Sequence, residues 1–591
     1  MRYNVVLLPV FNIADRLGRF IDFDIGSKKV LPIEQPLKMK ILEDIKTVVL
    51  SPSPTLTQRA ELVCGILLTL AAVLFHLTFM QNAGTFWRDE IISIAGISDI
   101  WNHVKFDSMP AMFSVALRMW TLVATDSQFS LRLFGFLVGI GILGVLWLNG
   151  HLMGYRVPLL AMALFVFNPL AFQIGDSLRP YGLGILLILL TIGLLWKVIE
   201  QGLLWQIVAA TVVAVLSVQC VYQNAIFLAS VIFAGVVVCA RNRMWKRAAV
   251  LIAIGAVAAV SLTIYIPAIR SAQDWMMLLK MPVDFPYILR RLFLTVSGGG
   301  LLATWWWGGS AGGGPLTVWI WGGSSLLATG DLFRSQKPQL KQKRPNTQKD
   351  RILFCGTVGV ACTIMLLLFL KYMQVGVTPW YFLPLMAIVA LSLDGVLGNS
   401  NIRSIVIVRI AVALLAGITT FGIAWHGAHA SLTSSDKVAA FMESSAQKDD
   451  FIIVSPWHMA ISFQKYYHGQ TRFTSIPPLQ RYDYDVIKAQ MMSQDPLQPV
   501  LSDIAKTLQS GHNVWIVGGL NFSQKTQPPT LPPADRHNWW YHGIYTTNWE
   551  NRTAYFIQMH GKDGKLLPPV TDKPVNAFEN YSIVQIWGWV P

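Results

Sequence analysis

Eleven long apolar runs decide what this chain can fold into. They fall at 61–81, 131–149, 157–174, 180–199, 203–220, 224–240, 247–267, 314–333, 352–370, 379–398 and 404–425. Each is close to the roughly 20 residues a helix needs to cross a hydrocarbon layer about 30 Å thick. Composition agrees: 53% of the 591 residues are apolar, only 13% are charged, and the mean hydropathy is +0.47. The charged fraction is about half the roughly 25% of soluble globular domains. Soluble enzymes and disordered chains are excluded. The expected fold is a polytopic α-helical membrane protein with about 11 transmembrane helices.

The net charge of +15 would suggest a polyanionic partner in a soluble protein. Its distribution argues otherwise. From Ser431 onward there are 13 basic and 13 acidic residues, so the excess lies before that point. Eleven spans with an inner N-terminus put Arg156, Lys197, Arg241–Arg247, the run Arg334–Arg351 and Arg403 on the cytoplasmic side. Such an arrangement is what the positive-inside rule requires. Counting the short apolar segment 110–124 as a span would invert every later loop, so it reads as an interfacial helix. No nucleic-acid partner is needed to explain the charge.

Three regions follow: an N-terminal cytoplasmic extension at 1–60, a membrane domain at 61–430, and an extracytoplasmic α/β domain at 431–591. The leader is polar, of mixed charge and unlike a signal peptide; it is a cytoplasmic extension or a start-site artefact. In the C-terminal region Asp449–Pro456 (DDFIIVSP) and His512–Gly519 (HNVWIVGG) read as buried strands, with helices expected at 436–447 and 485–509. All five cysteines sit in or beside apolar runs, without zinc or disulfide spacing. The long outer loop 268–313 carries Trp305–Trp307 as expected interfacial anchors, and its glycines and arginines suit a cover over an outer cavity.

Chemistry-bearing residues cluster at the expected outer face. Phe86-Trp87-Arg88-Asp89-Glu90 follows the first span, and Phe106-Asp107-Ser108-Met109-Pro110 lies later in the same loop. Ser127-Gln128-Phe129-Ser130-Leu131-Arg132 opens the second span; Gly175-Asp176-Ser177-Leu178-Arg179-Pro180-Tyr181 opens the fourth. Adjacent carboxylates at a membrane surface read either as a solvated turn or as a general base at a cavity mouth. Arg179-Pro180 taken alone reads as a helix start. His103 with two carboxylates could hold a divalent ion, although a solvated loop histidine is the simpler reading.

In this order and spacing, the four stretches resemble the GT-C superfamily of polyprenyl-phosphate-sugar-dependent glycosyltransferases, in its protein O-mannosyltransferase and aminoarabinose-transferase branch. The motifs cover about 61–200. Two positions depart from the pattern: Ser108-Met109 stands where His-Pro is expected, and Ser177-Leu178 where Glu-Ala is expected. The resemblance implies a GT-C-like fold and an inverting transfer of sugar from a polyprenyl-phosphate carrier to a glycan, lipid or protein acceptor on the extracytoplasmic face. It implies Asp89 as the catalytic base, with Glu90 orienting or binding the acceptor; Asp107, a further carboxylate in the same loop, is the next catalytic candidate. Arg179 and Tyr181 are the implied donor-phosphate residues; Arg270 and Lys371, on other outer loops, read either as further phosphate-binding residues converging on the same cavity or as ordinary interfacial anchors. No cofactor is required, and a divalent metal is compatible with the site. The implied location is a bacterial inner membrane. The alternative function is a transporter or flippase for lipid-linked saccharides, which would place ionisable residues near mid-bilayer.

Overall fold

The computed structural model describes residues 56–591 except 102–103, 105–108, 299–313, 336–346, 400–401, 524–525, 536–540 and 578. The extension expected at 1–60 therefore lies, up to residue 55, outside the described residues, as do His103, Asp107 and Trp305–Trp307. From Ala60 onward the chain forms one compact unit.

Among the described residues, eight helical segments are long and apolar enough to cross a membrane: Leu56–Asn82, Gln128–Met153, Pro180–Glu200, Asn224–Arg241, Trp245–Gln273, Thr347–Met373, Pro379–Leu397 and Arg403–His429. The protein is an integral membrane protein of helical type. In chain order, α1 is Leu56–Asn82, α2 Arg88–Ala95, α3 Met112–Val123, α4 Gln128–Met153, α5 Pro180–Glu200, α6 Leu204–Cys220 and α7 Asn224–Arg241. Then come α8 (Trp245–Ser261), α9 (Ile266–Met276), α10 (Phe285–Val296), α11 (Gly314–Ser335), α12 (Thr347–Met373), α13 (Leu383–Leu397) and α14 (Arg403–His429). Helix α13 is buried along nearly its whole length and α5 along most of it, so these two form the centre of the bundle. The others turn apolar side chains such as Leu67, Leu70, Ile252, Val260 and Ile418 outward. In water such faces would be a liability; against lipid tails they cost nothing.

Segments 203–220 and 314–333 are helical as expected, as the 17-residue α6 and the 22-residue α11. One expected span differs. Segment 157–174 is not one helix: a π-helical turn at Ala161–Val166 is followed by a short helix at Pro169–Gln173. Proline explains both ends, because Pro158 and Pro169 cannot donate to the helical ladder. Non-helical backbone is tolerated at membrane depth only when protein covers and satisfies it. Here every residue from Val157 to Ile174 is buried. The Asp394 carboxylate accepts from Leu160 N at 3.0 Å and Ala161 N at 2.7 Å, and Asn168 Oδ1 accepts from Leu170 N at 3.0 Å. Arg409 of α14 balances Asp394 at 2.9 Å and also pairs with Glu61 of α1. A buried triad of this kind ties three helices together where one charge alone would be prohibitive.

After α14 the chain builds a five-stranded sheet of order β2-β1-β3-β5-β4. Strands β1 (Phe451–Ser455), β2 (Arg472–Ser475) and β3 (Val514–Gly518) are parallel; β4 (Gly561–Leu566) and β5 (Ser582–Trp589) complete the sheet antiparallel. Both expected strands are present and wholly buried, as near-continuous apolar runs in parallel sheets should be. Helices α15 (Ser435–Ser445), α16 (Ala460–Tyr466), α17 (Tyr484–Met492), α18 (Gln498–Gln509) and α19 (His542–His560) cover it. The result is the expected C-terminal α/β domain.

Candidate functional site

The short helix α2 carries both carboxylates of the first outer-loop motif, and they meet different surroundings. Glu90 is fully buried. Its Oε1 accepts from Arg132 Nη1 at 2.5 Å and from Leu178 N at 2.9 Å; Oε2 accepts from Arg132 Nη2 at 2.9 Å and Trp87 N at 3.4 Å. Fork-on-fork pairing with a guanidinium is the strongest way to hold a buried carboxylate. Arg132 also donates to Thr85 O at 2.9 Å and lies over the Phe86 ring, 4.9 Å from its centroid. Glu90 therefore joins three stretches: the first loop, the start of α4 and the turn before α5. With four donors on its two oxygens, it orients this junction.

Asp89, one residue earlier, points the other way. Its side chain is 16% exposed, and Oδ1 accepts from Arg88 Nε at 2.7 Å. Arg179 comes up against the same helix: Nη1 donates to the Asp89 carbonyl at 3.2 Å and to Ser93 Oγ at 3.0 Å. Arg179 is 7% exposed and is the residue preceding α5, whose first position is Pro180. Proline there is preorganised for a helix start and lacks an N–H that would be left without a partner. Tyr181 is buried, its ring 6.3 Å from that of Trp380, which lies 6.4 Å from Trp87. Asp89, Glu90, Arg179 and Tyr181 thus share one junction.

Two other candidates make no hydrogen bond or ion pair to this junction among the described residues. Arg270 is exposed on α9, with no hydrogen bond or ion pair to that junction among the described residues. Lys371, at the end of α12, donates to Val283 O at 2.9 Å and so anchors the strand-like connection before α10. Asp107 lies outside the described residues.

Below the junction is a pair the sequence reading left out. His76 Nδ1 of α1 and Asp176 Oδ2 lie 2.7 Å apart, each almost completely buried. Burial pushes the Asp176 carboxyl up to about 6, against the pull of His76. The histidine inside the run 61–81 was the available signal. Gly135 and Gly139 of α4 make room for this pair: a Cβ at Gly139 would stand 2.2 Å from Asp176 Oδ1 and 2.5 Å from His76 Nδ1. Gly139→Ala should therefore destabilise the fold by about 1–3 kcal/mol. A lowered thermal midpoint in detergent would show it; an unchanged midpoint would mean the pair can move aside freely.

The C-terminal domain closes over the Asp89 helix. Tyr466 Oη accepts from Phe86 N at 2.9 Å and donates to Phe86 O at 3.0 Å, while Glu579 Oε1 accepts from Arg88 N at 2.9 Å. Burial and the Arg88 charge hold His542 down to about 4 and His458 well below the ordinary histidine value. Burial raises Glu550 and Glu579 from 4.5 to about 7. A raised carboxyl favours the folded state most when protonated. Its contribution is complete below about 4.5 and lost as pH rises through about 7. The thermal midpoint should fall between about pH 5 and pH 7, and the double variant Glu550→Gln/Glu579→Gln should flatten that fall. Equal slopes for wild type and variant would contradict the assignment.

Among the described residues, no three His, Cys, Asp or Glu side chains group as metal ligands.

No protein-family model matches the chain, and no curated protein matches it. Solved structures do. ArnT from Cupriavidus metallidurans in the apo state is similar at 10% identity, covering 88% of this chain and 97% of that one, with a TM-score of 0.47. The Archaeoglobus fulgidus oligosaccharyltransferase complexed with Zn and sulfate is similar at 12% identity over 87% and 73% of the two chains, with a TM-score of 0.43. ArnT bound to undecaprenyl phosphate is similar at 12% identity over 76% of this chain and 92% of that one, with a TM-score of 0.35.

Proposed function

We propose that this protein is an inverting membrane glycosyltransferase that moves a sugar from a polyprenyl-phosphate carrier to a hydroxyl acceptor at the outer face of a bacterial inner membrane. One observation carries the reading: the buried Arg179 guanidinium is bonded to the helix that bears the partly exposed Asp89 carboxylate. A carboxylate beside a cation is what such a transfer needs. Asp89 takes the acceptor hydroxyl proton as the oxygen bonds to the anomeric carbon. The bond from that carbon to the carrier phosphate breaks, and the phosphate leaves with the electron pair. Arg179 is the cation that faces this leaving group, with Tyr181 beside it. Glu90 holds the two contributing stretches in register through Arg132 and Leu178 N. The sugar donor already has a good leaving group, so placement and charge supply the catalysis.

Donor binding tests the phosphate half of this assignment. Undecaprenyl phosphate should bind the purified protein, and Arg179→Ala should weaken that binding about tenfold or more, since a charge-assisted contact is worth about 1.5–3 kcal/mol. Equal affinity in the variant would remove Arg179 from the donor site.

A further inference from the structure

Helix α2, which carries Asp89 and Glu90, is short, and its N-cap residue Trp87 gives no side-chain hydrogen bond to the first turn; Glu90 Oε2 accepts from Trp87 N at a long 3.4 Å. Eight residues cannot hold a helix in water, where even 12–15 are marginal. Its position must come from outside. Glu90 fixes its inner side. Its starting end is fixed from the C-terminal domain, by residues nearly 500 positions further along the chain.

Glu579 is 1% exposed and directs Oε1 at the Arg88 N–H, the first amide of α2. Ser462 Oγ donates to the same oxygen at 2.9 Å, which orients the carboxyl from α16. Four residues further along α16, Tyr466 holds both backbone groups of Phe86. The backbone of the Glu579 segment is itself held, with Ser434 N donating to Glu579 O at 3.3 Å and Glu579 N to Asn576 O at 3.1 Å. Every one of these contacts bears on residues 86–88, directly before Asp89. The Arg88 side chain then reaches Asp89 Oδ1. Displacement of Arg88 would carry the Asp89 carboxylate with it.

We propose that Glu579, supported by Ser462 and Tyr466, is a positioning residue for Asp89: the C-terminal domain caps α2 from outside and thereby sets where the base stands. The proposal rests on the reading of Asp89 as the base. An acceptor oxygen at the first amides favours a helix start by filling donors that the helix leaves open. The groups facing the Glu579 carboxyl are Arg88 from α2, Ser462 from α16, Thr433 from the segment before α15, and Tyr581, the residue before β5. Of these only Arg88 is a cation. A misplaced base costs turnover more than donor affinity, because the donor phosphate is assigned to Arg179.

Amide hydrogen exchange on the full-length protein in detergent tests the mechanical claim without reference to catalysis. Glu579→Ala should speed exchange of the 86–90 amides about tenfold or more, with α5 and α13 unchanged. Glu579→Gln keeps an acceptor and should stay within threefold of wild type. Tyr466→Phe gives a second, milder route and should loosen the same amides should Glu579→Ala fold poorly. Wild-type exchange at 86–90 in both Glu579→Ala and Tyr466→Phe would overturn the proposal. With an undecaprenyl-phosphate sugar that the wild type consumes, Glu579→Ala should lower kcat about tenfold or more and leave KM for that donor within threefold. Glu579→Gln should recover most of the loss. Faster exchange with unaltered kcat would also overturn it, since α2 would then move without consequence for the base.

Discussion

Asp89→Asn is expected to lower transfer about 10²–10⁴-fold, the usual cost of removing one positioned acid–base group. Asparagine keeps the size of the side chain and an oxygen that can accept from Arg88 Nε, so α2 should stay where it is. Undecaprenyl phosphate should bind as in wild type, because the bonds from Arg179 Nη1 to α2 reach the Asp89 carbonyl and Ser93 Oγ rather than the Asp89 carboxylate. The loss should fall on kcat, with KM little changed. Near-normal turnover in this variant would make the Arg88–Asp89 pair structural.

Arg132→Met should have the largest effect on stability. It leaves the fully buried Glu90 without its cation, and breaking a buried pair from one side costs about 3–5 kcal/mol. Removing both charges, as Glu90→Gln/Arg132→Met, should cost clearly less, because no uncompensated carboxylate remains. Chemical denaturation in detergent would compare the two. A double variant as unstable as the single one would mean that the ion pair itself, rather than the stranded charge, is what the fold depends on.

The membrane architecture was legible because it is written locally. A run of twenty apolar residues needs no partner to declare itself, and neither do FIIVS and VWIVG as buried strands. Segment 157–174 was misread for a related reason: its apolarity is that of a span, while Pro158 and Pro169 carried the contrary signal. What makes its broken backbone affordable, the Asp394 carboxylate, comes from more than 230 residues away. The same limit applies to the site. Motif order brought Asp89, Glu90, Arg132 and Arg179 into view, but not that Glu90 and Arg132 saturate each other. Nothing near Glu579 in the sequence points to Arg88, and His76 gains meaning only from Asp176, 100 residues later.

Asp89 and Arg179 are proposed to form one transfer site for a lipid-phosphate sugar. The most direct measurement incubates the purified protein with a panel of polyprenyl-phosphate sugars and an outer-face acceptor extract, and follows release of free polyprenyl phosphate. The expected result is release from at least one donor, falling about 10²-fold or more in Asp89→Asn while undecaprenyl phosphate still binds. Donor that is bound but never consumed by the wild type, or consumed equally by Asp89→Asn, would contradict it.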